Sequence, residues 1–130
     1  MVDYGFVKVL PEAFDQAEAR VRDALAAEGF GILSEIDVQQ AFRDKLDLDH
    51  RRYTILGACN PQLAHKAVSA EPHIGLLLPC NVLVQDNPDG EGTVVSIADP
   101  RAMFRIVDNP AAESIAEEAE ERLRRALDSL

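Results

Sequence analysis

Tryptophan is absent from this sequence and aromatic residues make up only 5% of it, which leaves little material for base-stacking platforms or aromatic cages. Basic residues are scarce as well. Thirteen of them stand against 23 acidic ones, giving a net charge of −10 at pH 7. Such a field repels phosphate backbones and anionic lipid, so the expected partners include no nucleic acid and no membrane. The longest apolar run, Ile74 to Leu78 with its glycine, is far short of the roughly 20 residues that cross a bilayer. Residues 1–20 carry neither the basic start nor the apolar core of a signal peptide, and two cysteines do not make a disulfide framework. The expectation is a cytoplasmic protein. What remains is ordinary globular material: 130 residues, 47% hydrophobic and 28% charged. That suits one domain over residues 1–130, with a core that needs no metal or disulfide to form.

Periodicity and punctuation predict the elements. Residues 4–9 read as a strand, and Pro11 as the first residue of a helix whose stripe is Phe14, Ala17, Val21, Ala24 and Leu25, stopped by Gly29. Phe30, Ile32 and Ile36 alternate as a second strand. Asp37 and Gln40 form a capping-box pattern ahead of a short helix with Val38, Phe42 and Leu46. The stretch from Tyr53 to Ala58 is apolar on both faces, which predicts a central strand. Asn60-Pro61, Asp99-Pro100 and Asn109-Pro110 each read as a cap followed by a first helical residue. Pro79 interrupts the run Ile74–Val84 and predicts an edge, a bulge or two half-strands meeting at a bend. Asp86 to Gly92 reads as the turn of an antiparallel hairpin leading into Thr93–Ala98. In the final helix, Glu118–Arg122, Glu120–Arg124 and Glu121–Arg125 are acid-to-base pairs at i,i+4 on a solvated face. The predicted core includes Phe14, Val21, Leu25, Ile32, Ile55, Leu77, Val82, Val95, Ile115 and Leu123.

Both cysteines are followed by asparagine, as Cys59-Asn60 and Cys80-Asn81, and these four residues are the candidates for a ligand or redox site. Cys59 precedes a predicted helix N-terminus, where free amide groups favour a thiolate and predict a pKa below the ordinary value of about 8.5. Cys80 follows a proline that presents it at a bend. Were their strands neighbours, the two sulfurs would meet as a redox pair or as two metal ligands. The competing reading makes both of them small buried hydrophobes. His50, His65 and His73 lack metal-ligand spacing, there is no C-x-x-C, and no phosphate loop, dinucleotide fingerprint or G-x-S-x-G occurs.

The segments Glu35-Ile-Asp-Val38, Tyr53-Thr-Ile-Leu-Gly-Ala-Cys-Asn-Pro61, Ile74-Gly-Leu-Leu-Leu-Pro-Cys-Asn-Val82 and Ala98-Asp-Pro100 resemble the bacterial and archaeal domain-of-unknown-function 302 family over nearly the whole chain. The resemblance implies an α+β fold: a mainly antiparallel sheet with helices packed on one side, in a layout like that of the TATA-box-binding protein. It also implies homodimers. It carries no established activity and calls for no cofactor, and likeness of fold is not DNA binding. Three functional readings follow. The first is a small binding or sensing module with a thiol-based ligand, metal or redox site around Cys59 and Cys80. The second is a thiol-dependent enzyme with a base close to Cys59. The third is a structural protein, dimeric through an apolar sheet or helix face.

Overall fold

Residues 2–130 are described by the computed structural model. The chain runs β1 (Gly5–Leu10), α1 (Phe14–Ala27), β2 (Gly31–Asp37), α2 (Val38–Leu46), β3 (Tyr53–Cys59), α3 (Pro61–Ala70), a 3-10 segment (Pro72–Leu77), β4 (Cys80–Asp86), β5 (Thr93–Ala98), α4 (Pro100–Phe104) and α5 (Pro110–Asp128). The strands form one antiparallel sheet in the order β1-β5-β4-β3-β2. This is the expected α+β architecture.

The helix layer covers one face. Phe14, Ala17, Val21 and Leu25 of α1 meet Leu123, Ala126 and Leu127 of α5 over Leu56, Val82, Val84, Val95 and Ile97 of the sheet. A second cluster joins Ala67 of α3, Ile74, Phe104 of α4, and Ala112 and Ala116 of α5. At the edge of the sheet, Lys8 points toward the helices and its Nζ donates to the carbonyls of Leu127 at 3.3 Å and Leu130 at 2.6 Å. The cation thereby adds to the Leu130 N–H already donated to the Leu127 carbonyl at 3.1 Å and holds the end of the C-terminal helix against β1. The opposite face stays open. Val7, Ser96, Leu83, Ile55 and Ile36 lie in register across it, with Val7 and Ile36 exposed.

Several expectations are corrected. The first helix begins at Phe14 rather than Pro11, after an uncapped Ala13. Residues 11–13 are instead a bend held to β5, where the Thr93 hydroxyl donates to the Glu12 carbonyl at 2.9 Å. The Pro79 expectation fails in each of its forms. The residues before it are a 3-10 segment, and the proline ends at the doorstep of β4, so no ladder hydrogen bond is interrupted. The central strand is β4, and β3 is second from the edge. Only the Leu56 and Ala58 face of β3 is covered, which leaves Ile55 half-exposed; Ile32, Leu77 and Ile115 are likewise only partly buried. Asp37 accepts from the Gln40 N–H at 2.9 Å as predicted, but the Gln40 amide turns forward to Asp44 and leaves half the capping box unmade. On α5, Glu118–Arg122 and Glu120–Arg124 form, whereas Arg125 pairs with Glu28 at 3.0 Å instead of Glu121.

The β4–β5 hairpin shows how local chemistry sets the turn. Asn87 accepts from the Asp89 N–H at 3.0 Å and donates to the Glu91 carbonyl at 3.0 Å. Gly92 then adopts φ +90, and a Cβ there would lie 2.2 Å from the Leu10 carbonyl oxygen. Only glycine fits both requirements.

Candidate functional site

The register Ala58↔Cys80 brings the end of β3 and the start of β4 side by side. Cys59, the last residue of β3, and Cys80, the first of β4, therefore reach the same end of the sheet. Between that end and the helices lies a cavity of about 260 Å³. Its floor is Ala58, Cys59, Asn60 and Cys80. Leu63, Ala64 and Ala67 of α3 form one wall, and Phe104, Ile115 and Ala119 of α4 and α5 another. Phe30, Leu78 and Pro79 fill in the sides, and Leu33, 72% exposed, stands at the rim. No charged side chain lines it among the described residues. A smaller groove of about 110 Å³ adjoins it across Leu78, Pro79 and Cys80, and this groove, not the main cavity, is where Asn81 lies.

Burial governs both thiols. It pushes Cys80 up to about 11, with the nearby Cys59 charge adding to the rise, and it also raises Cys59. The expected depression of Cys59 is thus reversed, because burial of the thiol prevails over the first turn of α3. Pro61 has no N–H to offer. The Leu63 N–H donates to Asn60 Oδ1 at 3.2 Å, and the Ala64 N–H to the Asn60 carbonyl at 2.8 Å. Asn60 takes the Leu63 donor of that turn for itself. Both cysteines are free thiols. No group of three or more His, Cys, Asp or Glu side chains has metal-binding geometry among the described residues.

Asn60 is the polar member of the apolar wall. It is 8% exposed, its Oδ1 caps α3, and no buried side-chain nitrogen or oxygen is left unpartnered among the described residues. Gly29 makes room for that amide: at φ +86, a Cβ on it would lie 2.9 Å from Nδ2. Arg122 closes the same corner by donating to the Glu28 carbonyl at 3.2 Å.

None of the histidines joins the site. His50 packs edge-on between Phe42 and Tyr53 at the foot of α2, and His65 and His73 are exposed. Sequence reasoning found Cys59, Asn60 and Cys80, but missed the walls from β2, α4 and α5. The available signal was the small residues Ala64 and Ala67 on α3 and Ala119 on α5, where larger side chains would have closed the space.

Comparison with known proteins is consistent with this fold. The model of the family described as domain of unknown function DUF302 matches residues 6–130. The crystal structure of an uncharacterized conserved DUF302 protein from Bacillus stearothermophilus is similar with a TM-score of 0.88 and 26% identity, over 98% of each chain. No curated protein matches the chain.

Proposed function

The chain belongs to the DUF302 family, and we propose that it works as a small binding module whose cavity at the Cys59–Cys80 end of the sheet receives a small apolar molecule. The observation that carries this reading is the cavity itself. Ligand pockets are concave, mostly apolar and commonly about 300–1,000 Å³ for drug-sized molecules. At about 260 Å³ this one suits something smaller. Thiol exchange and capture of a soft metal both draw on thiolates, which burial opposes at Cys59 and Cys80. The two sulfurs therefore enter this reading as neutral, polarizable wall groups.

The test is fluorescence of N-phenyl-1-naphthylamine added to the purified chain, with Ala64→Trp as the comparison. Ala64 is half-buried on the cavity wall, so an indole there fills the space without crowding the fully buried core. Enhancement in the wild type that Ala64→Trp removes, at an unchanged melting temperature, supports the reading. Equal fluorescence in both proteins, or none in either, overturns it. Native mass spectrometry of protein purified without chelator reads out any molecule carried through purification and the oligomeric state in one spectrum.

A further inference from the structure

We infer that the molecule this cavity receives is a medium-chain amphiphile that enters tail first, its hydrocarbon tail filling the space and its polar head staying in water at the mouth. The inference rests on the reading of the cavity as a binding site and adds the chemical class of what enters it.

The walls exclude polarity as well as charge. No arginine, lysine, aspartate or glutamate lines the space among the described residues. The polar groups that do reach it are already engaged. Asn60 Oδ1 accepts from the Leu63 N–H and its carbonyl from the Ala64 N–H, while the Ala67 carbonyl accepts from the Glu71 N–H. No buried side-chain nitrogen or oxygen lacks a partner among the described residues. Cys59 and Cys80 are held as neutral thiols, which are weak donors and weak acceptors. A hydroxyl, carbonyl or carboxylate drawn inside would leave its water and find nothing in exchange. The enclosed part of the ligand is therefore hydrocarbon.

Volume sets the length of that part. An apolar cavity of about 150 Å³ takes benzene, so at the same filling a space of about 260 Å³ takes about ten carbons. A pure hydrocarbon of that size scarcely dissolves, so a ligand that arrives through water carries a polar group. The mouth gives that group its place. Leu33 stands 72% exposed at the rim, and beyond it a head keeps its hydration. The molecule's charge of −10 then grades the heads. An anionic one is repelled from outside the cavity, through solvent, and salt screens the effect.

The experiment is displacement of N-phenyl-1-naphthylamine by 1-alkanols from butanol to tetradecanol, each below its solubility limit, on the wild type and on Ala64→Leu. In the wild type each added carbon should tighten binding about fourfold up to about ten carbons, and by about twofold or less beyond. Ala64→Leu adds three carbons to the wall and should bring that break about three carbons earlier. The wild-type series needs no variant and stands if Ala64→Leu fails to fold. Octanoate at pH 8 should compete within about tenfold of 1-octanol, the difference shrinking as salt is added. A gain that runs unbroken through tetradecanol is a site of membrane-lipid length and overturns the assigned tail. A break that stays put in folded Ala64→Leu, or octanoate failing to compete where 1-octanol does, overturns the tail-first placement. Each of these outcomes leaves the cavity as a binding site. If neither the reporter nor any alkanol binds the wild type, the binding reading falls too.

Discussion

A thiol gives up its proton where the resulting charge meets water or donors, and Cys80 is packed against the core at the start of the central strand. Because folding raises its pKa, the folded state holds the proton more tightly than the unfolded one. Its contribution to stability is fully present below the ordinary thiol range and is lost as pH rises through that range toward about 11. Urea titrations at stepped pH should therefore show wild type losing stability in alkali, and Cys80→Ala losing less over the same window. Alkylation gives the companion readout. Both native thiols should react slowly at pH 7, with Cys59 accelerating before Cys80 as pH rises; rapid labelling of Cys80 at neutral pH would contradict its burial.

At the scale of elements, asparagine and aspartate caps do most of the placing. Asn109 accepts from the Ala111 N–H at 3.0 Å to start α5 and donates to the Ala70 carbonyl at 3.0 Å to hold the end of α3. Asn109→Ala should cost about 1–2 kcal/mol in urea unfolding, and Asn109→Asp, which keeps the cap and loses the bridge, roughly half of that. The Asn60, Asp99 and Asn109 starts were legible because each pairs a cap with a following proline. Pro11 failed the same logic: Ala13 offers no cap, and a tertiary bond from Thr93 holds the bend. Strand faces were legible only where polarity alternates. In β3 both Ile55 and Leu56 are apolar, so alternation alone does not say which one meets the helices. For the site, the doubled Cys-Asn pattern marked three of its residues. Its volume depends on alanines from α3 and α5 converging with Phe104 and Leu33, and no single element's pattern carries that.

At the scale of the whole molecule, the acidic balance is reinforced by how the cations are spent. Eight of the ten arginines sit in ion pairs with carboxylates, so few are free to displace counterions from a polyanion. Duplex DNA should show no measurable binding at physiological salt in an electrophoretic shift; sub-micromolar affinity with a steep inverse salt dependence would contradict the charge argument. The strand order has a further consequence, in the time of synthesis. β1 pairs with β5 alone, Gly5 facing Ala98 and Leu10 facing Thr93. At about 5–20 residues per second, a ribosome finishes that partner roughly 4–18 s after β1 has been made. Throughout that wait Phe6-Val-Lys-Val-Leu10 is a bare, strand-forming segment on a nascent chain. Lys8 is the one charge that interrupts it, which makes this residue a gatekeeper against aggregation before it becomes the clasp on α5.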